Sequence, residues 1–324
     1  MHIQEAIDLV KDDIKKVNEG FNTYLDSDVF FIKKVGEYII NSGGKRYRPM
    51  LLLLSSKLIG YTGERHIPLA AVVEFIHTAT LLHDDVVDNA NLRRGKASAN
   101  SVWGDGASIL VGDYLLAKSF SLAVEDGDQR ILETLSKTTT QMAEGEVMQL
   151  LKHSDPETTE EEYLAVVTNK TAILLSAACK IPALLNNSTD EEIRAMSEYG
   201  LNLGIAYQLT DDCLDYTSSN EDLGKAIGND LREGKVTMPL IKAFRDADVG
   251  ERELIKRVVE ADELKEDDLK KVFDIIEKYE GIQYTLESAM ACIENAKEAL
   301  EIFEPNIERA ALMAVADNVI DRRS

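Results

Sequence analysis

The chain has 324 residues, 44% of them hydrophobic and 29% charged, with a formal net charge of −22 at pH 7. That is the composition of a folded, core-forming protein, and so large an acidic excess excludes general binding to nucleic acid or to an anionic membrane surface. Any cluster of cations therefore stands out, and only six prolines and one tryptophan, beside abundant Ala, Leu, Glu and Lys, bias the chain toward helix.

From the N-terminus, MHIQEAIDLVKDD has neither a basic start nor an apolar core of signal-peptide length. No apolar run approaches the roughly 20 residues of a transmembrane segment, so a cytoplasmic protein is expected. Helical periodicity predicts helices over 3–18, 28–40, 48–59, 67–89, 106–124, 129–151, 160–180, 190–217, 237–246, 250–259, 266–279, 283–302 and 306–321. No convincing alternating strand intervenes. Thr159 with Glu162, and Thr189 with Glu192, have the spacing of capping boxes. The stretches 67–83 and 193–209 are apolar around much of their circumference and belong at the centre of a large bundle. With no linker and no tandem repeat, residues 1–324 read as one all-α domain. Cys179, Cys213 and Cys292 lack metal-ligand spacing and read as small buried hydrophobes in a reducing compartment.

Three irregular stretches, 41–49, 89–98 and 218–239, are rich in glycine and charge. A bundle does not need such loops for packing, and loops of this kind carry binding groups. Before the second lies HDDVVD, where Asp84 and Asp88 fall one turn apart on one face, with Asp85 to the side. Acids at a helix C-terminus oppose the macrodipole as well as each other, which argues for a cation between them. The pattern recurs in QLTDDCLD, where Gln208, Asp211, Asp212 and Asp215 share one side of a helix end. Hard oxygens without thiolates or a His pair suit Mg²⁺, which completes its octahedron with water and phosphate oxygens. The basic islands match a phosphorylated ligand: Lys45, Arg46 and Arg48 in GGKRYRP, then Arg93 and Arg94, Lys170, Lys225 and Lys235. His77, two turns before Asp84, points along nearly the same face, whereas His83 reads as structural. No loop has the Walker A pattern, so a nucleoside triphosphate is not indicated.

In order and spacing, GGKRYRP, HDDVVDNANLRRGK, NKTA, GIAYQLTDDCLD and GKAIGNDLREGKVTMP resemble the trans-isoprenyl diphosphate synthases, from about residue 35 to 240. Residues 72–99 look most like the long-chain polyprenyl branch, bacterial octaprenyl diphosphate synthases above all. The resemblance implies a single all-α bundle of the isoprenoid synthase type around a deep central cavity, usually as a homodimer. It implies two to three Mg²⁺ ions on Asp84, Asp88 and Asp211, supported by Asp85, Asp212 and Asp215. It places an allylic diphosphate on those ions and on Arg93, Lys170, Thr171, Gln208, Lys225 and Lys235. Isopentenyl diphosphate falls to Lys45, Arg48, His77 and Arg94. Ala79 and Thr80, small where short-chain members carry a bulky aromatic, leave the product channel open, with Ala123 and Leu135 near its floor. The family's product is a lipid, which leaves room for peripheral membrane contact at its release. A shorter-chain synthase is the alternative within the family. A terpene cyclase has no use for a second diphosphate cradle, and a non-catalytic subunit would have lost an Asp motif.

Overall fold

The computed structural model describes residues 1–41, 46–93, 95–217, 228–261 and 264–321. The elements are α1 (Ile3–Leu9), α2 (Lys11–Tyr24), α3 (Phe30–Asn41), α4 (Tyr47–Leu58), α5 (His66–Val87), β1 (Leu92–Arg93), β2 (Lys96–Ala97) and α6 (Ala99–Trp103). Then come α7 (Asp105–Asp126), α8 (Gln129–Leu151), α9 (Glu160–Val167), a π-helical segment (Thr168–Ala172), α10 (Ile173–Leu185) and α11 (Asp190–Thr217). The chain ends with α12 (Asn229–Arg232), α13 (Met238–Asp246), α14 (Val249–Val259), α15 (Glu266–Lys278), α16 (Gly281–Ala299), a 3₁₀ turn (Leu300–Ile302) and α17 (Ile307–Ile320).

The helices lie where apolar spacing puts them, with local corrections. The first breaks at Val10, resumes at Lys11 and runs past residue 18 to Tyr24, because Val17 and Phe21 bury the same face one turn apart. The helix expected over 160–180 contains the π segment and continues through Pro182 to Leu185. Strands were not expected, yet Leu92 pairs with Ala97 and Arg93 with Lys96 in an antiparallel hairpin too short for alternation to register. Both capping boxes form: Glu162 and Glu192 accept from the backbone of Thr159 and Thr189 at 2.9 and 2.8 Å, and the threonine hydroxyls accept the return bonds.

The chain groups into two compact units. The first holds Met1–Thr139, Leu174–Ser197 and Leu300–Ala314; the second holds Thr140–Ile173, Glu198–Ala299 and Val315–Ser324. In the first, α5 is buried at every residue from Leu69 to Ile76, as its all-round apolar sequence requires. Helices α4 and α7 pack on it. Gly112 of α7 lies where a Cβ would stand 2.4 Å from His83 Nε2, so a larger residue there would push the imidazole aside. His83 reaches the Ile109 carbonyl at 3.3 Å and Asp113 at 3.4 Å, a placement between α5 and α7. In the second unit, α16 packs on α13, and α15 buries Leu269, Val272, Ile275 and Ile276 along one stripe.

Burial pushes the thiols of Cys179 and Cys213 up to about 12, and raises that of half-buried Cys292, so thiolate chemistry is suppressed. By length and composition alone, Asp105–Asp126 and Glu160–Leu185 could cross a membrane. Neither is an uninterrupted apolar run. Asp113 and Lys118, and Lys170 and Lys180, interrupt their apolar runs.

Candidate active site

In the first unit, α5 delivers the leading aspartates. Asp84 and Asp88 are half-buried, and the backbone N–H of Asp88 closes the helix on the Asp84 carbonyl at 2.8 Å. Asp85 is only 1% exposed. Arg93, carried on β1, donates to Asp85 Oδ1 from Nε at 2.7 Å and from Nη2 at 2.6 Å. Asp85 Oδ2 is buried without a hydrogen-bond partner, a deficit of about 1–3 kcal/mol. Burial accordingly raises the Asp85 carboxyl above the ordinary range, while Arg93 pulls it back. The hairpin that carries Arg93 turns at Gly95, where φ is +73°. It is tied down by Ser98 Oγ to the Ala90 carbonyl (2.6 Å), Asn100 Nδ2 to the Asp85 carbonyl (3.0 Å) and Tyr38 OH to the Ala97 carbonyl (2.8 Å). Arg93 is thus delivered to Asp85 by the fold, where the resemblance implies a diphosphate partner.

Upstream on α5, His77 is half-buried and its carbonyl accepts from Thr80 Oγ1 at 2.8 Å. Ala79 is buried and Thr80 half-buried. Ala123 of α7 and Leu135 of α8 are both buried. Arg48 lies half-buried in the first turn of α4.

In the second unit, α11 exposes Asp211 and buries Asp212. Both oxygens of Asp212 are engaged: Oδ2 accepts from Tyr163 OH at 2.5 Å and Oδ1 from Gln208 Nε2 at 2.7 Å. Gln208 Oε1 in turn accepts from Thr171 Oγ1 at 3.1 Å. Burial pushes the Asp212 carboxyl up to about 7, opposed by the bonds from Tyr163 and Gln208 and reinforced by Asp211 and Asp215. Asp215 accepts the backbone N–H groups of Asn229 (3.2 Å) and Asp230 (3.0 Å), which caps α12. Lys235 follows Gly234, whose φ is +69° and whose Cβ, if present, would meet His153 at 2.5 Å. The Lys235 amine donates to Glu233 at 2.7 Å.

Lys170 and Thr171 sit in the π segment, a wide turn of the kind often found at functional sites. Two glycines press on it. A Cβ on Gly145 of α8 would lie 2.6 Å from the Lys170 backbone nitrogen, and one on Gly204 of α11 would lie 2.5 Å from Ala172 Cα. The Lys170 amine donates to Glu146 Oε2 at 2.7 Å. Tyr163, Glu146 and the two glycines escaped the sequence reading. An isolated glycine inside a strong helical pattern was the signal that could have found Gly145 and Gly204.

Lys45, Arg94 and Lys225 lie outside the described residues. Among the described residues, no three His, Cys, Asp or Glu side chains converge as a ready metal site. Accessible aspartates presented one or two at a time still fit Mg²⁺, which takes one or two carboxylates and completes its shell with water and phosphate. The arrangement also separates roles within each motif: Asp84, Asp88 and Asp211 reach solvent, while Asp85 and Asp212 are buried and held by their own partners.

The polyprenyl synthetase family model matches residues 30–276. The chain belongs to that family. Members are prenyltransferases that join isopentenyl diphosphate to an allylic diphosphate, and this polyprenyl synthetase shares their all-α fold. Octaprenyl diphosphate synthase of Escherichia coli (strain K12) is 39% identical over 322 residues, covering 99% of each chain. Among solved structures, a decaprenyl diphosphate synthase from Rhodobacter capsulatus is 40% identical with a TM-score of 0.95, covering 99% of each chain. A polyprenyl synthase from Caulobacter crescentus CB15, complexed with calcium and isoprenyl diphosphate, is 40% identical with a TM-score of 0.94, covering 99% of this chain and 98% of that one.

Proposed function

We propose that this polyprenyl synthetase extends an allylic primer, farnesyl or geranylgeranyl diphosphate, by successive addition of isopentenyl diphosphate to a long all-trans product of octaprenyl size. The observation that carries the chain length is local. Ala79 and Thr80 stand on the turn of α5 below Asp84, where a bulky ring would block a growing chain. Ala123 and Leu135 then lie near the channel floor. The long-chain relatives at 39% and 40% identity support the same reading.

Asp84, Asp88 and Asp211 would hold Mg²⁺, two to three ions per site, with Asp85, Asp212 and Asp215 in support, each held in place by the hydrogen bonds described above. The calcium and isoprenyl diphosphate in the Caulobacter relative support a divalent ion and a diphosphate at this kind of site. Once bound, Mg²⁺ supplies positive charge to the departing diphosphate. Arg93, Lys170, Thr171, Gln208, Lys225 and Lys235 bind the allylic diphosphate and stabilise the charge growing on it as its C–O bond ionises. Lys45, Arg48, His77 and Arg94 hold isopentenyl diphosphate so that its double bond attacks the carbocation. One C–C bond forms, diphosphate departs and a proton is lost to it. The apolar wall of α5 excludes water from the cation.

The whole chain acts as one domain: four of the five boundaries between the two units, at 139/140 in α8, 173/174 in α10, 197/198 in α11 and 314/315 in α17, fall inside helices, and the fifth, 299/300, joins α16 directly to its 3₁₀ turn. It works as a cytoplasmic homodimer that releases its lipid at a membrane surface. Incubating the purified protein with isopentenyl diphosphate, farnesyl diphosphate and Mg²⁺, with products resolved by length, tests the proposal. The expected result is a ladder ending at a definite long chain. No consumption of isopentenyl diphosphate would defeat the reading, and a product of three or four isoprene units would favour the shorter-chain alternative.

A further inference from the structure

Arg46 belongs to the first basic loop but has no part in the chemistry above. Its backbone lies at φ +48° and ψ +41°, the left-handed region that a non-glycine residue rarely enters. The side chain explains how that conformation is held. Arg46 Nη1 donates to Glu74 Oε1 at 3.0 Å, Nε donates to Asn18 Oδ1 at 3.3 Å, and the guanidinium lies over the Phe21 ring at 5.3 Å. Phe21 in turn rests on Phe75, with ring centroids 5.5 Å apart. Glu74 is 6% exposed, so the ion pair is largely withdrawn from water. One residue in a strained conformation is therefore clamped by groups from α2 and α5, the over-determined arrangement that sustains strain near functional sites.

A buried ion pair adds little net stability over an apolar replacement, so its value lies in placement. Arg46 is the N-cap of α4, and its carbonyl accepts the Met50 N–H at 2.9 Å. Arg48 follows two residues later, in the first turn of the same helix. His77 follows Glu74 by three residues on α5, one turn along the same side. The clamp thus joins the start of the helix that bears Arg48 to the turn of α5 that bears His77.

We propose that Arg46 and Glu74 are positioning residues for the isopentenyl diphosphate site, fixing the backbone turn that sets Arg48 relative to His77. This rests on the assignment of Arg48 and His77 to that diphosphate. The test uses the full-length protein with Mg²⁺, varying each substrate at saturation of the other, for Glu74→Gln, Arg46→Lys, Arg46→Gly and Arg48→Ala, with melting temperatures alongside. Arg46→Gly tolerates the left-handed backbone but removes the clamp, so it separates strain from anchoring. Glu74→Gln and Arg46→Gly are expected to raise KM for isopentenyl diphosphate about tenfold, the factor that a loss of about 1.4 kcal/mol gives. The KM for the allylic primer and kcat should stay within about twofold, and Arg46→Lys should recover part of the loss. If Arg48→Ala raises that KM but Glu74→Gln and Arg46→Gly do not, the positioning role is overturned and the site stands. Equal changes in both KM values and kcat, tracking a lowered melting temperature, would make the clamp merely structural and overturn it too. If Arg48→Ala leaves the KM unchanged, the site assignment fails and takes the proposal with it.

Discussion

Gly145→Ala is the sharpest test of how the π segment presents Lys170. A Cβ there would stand 2.6 Å from the Lys170 nitrogen and 3.0 Å from the Asn169 carbonyl carbon. Those are backbone atoms, so no side chain can swing aside, and the segment must retreat by roughly 1 Å, a misplacement of the size that costs about a hundredfold in rate. Stability follows a different ledger. Alanine gains about 1 kcal/mol over glycine in a helix interior, and overpacking costs about 1–3 kcal/mol. The net loss is about 0–2 kcal/mol, a few degrees in melting temperature at most for a chain of this size. The prediction is therefore an activity loss far out of proportion to the stability loss. Steady-state kinetics with the allylic primer varied, beside a thermal melt of the same sample, measures both. A variant with wild-type kcat and wild-type KM for the primer would refute the reasoning. Glu146→Gln, which weakens the 2.7 Å contact to the Lys170 amine without adding bulk, should give a smaller loss in the same direction.

Other substitutions test the remaining assignments. Asp84→Ala or Asp211→Ala should lower kcat by orders of magnitude while circular dichroism and the metal-free melting temperature hold; a collapse of stability would make these groups structural. Ala79→Tyr should shorten the products, and an unchanged ladder would sink the channel assignment. Tyr163→Phe strands an oxygen of buried Asp212 and should cost about 1–3 kcal/mol in stability, read from denaturant unfolding; no change would mean that the 2.5 Å bond is not formed in solution. Burial pushes the folded Asp212 carboxyl up to about 7, well above the ordinary carboxyl range, so the folded state keeps a proton that the unfolded chain releases. The metal-free protein should therefore lose stability as pH rises from about 4 to about 7 and level off above that. Asp212→Asn should flatten the slope in melting temperature, and an equal slope in both proteins would assign it elsewhere, first to buried Asp230, whose carboxyl is also raised.

Much of the architecture was legible because its signals are periodic. Long helices such as α5, α7 and α11 repeat their apolar pattern over several turns, and both capping boxes have a fixed spacing. What escaped is short or depends on long-range contacts. The hairpin at Leu92–Ala97 has two residues per strand, and α12 is a single turn. The π segment keeps a helical appearance, so only the pressure of Gly145 and Gly204 against it distinguishes it from an α-turn. The spread of exposure within each aspartate motif has the same origin. At Asp84, Asp85 and Asp88, residue type is constant, and it is the packing of the Arg93 hairpin that buries one and leaves the others accessible. Likewise, nothing near QLTDDCLD in the chain announces Tyr163, 49 positions away from Asp212.

The wide turn also constrains chain length. Tyr163 and Thr171, eight positions apart, meet Asp212 and Gln208, which lie one turn apart on α11. Eight residues of uninterrupted α-helix would leave the two side chains roughly 80° out of phase. The extra residue of a π turn brings them back to one side. Adding or removing a single residue between them would swing one partner away from α11 by about 100°. The number of residues in this stretch is thus as constrained as their identity, and an indel here would be harder to repair by later substitution than any point change in the network.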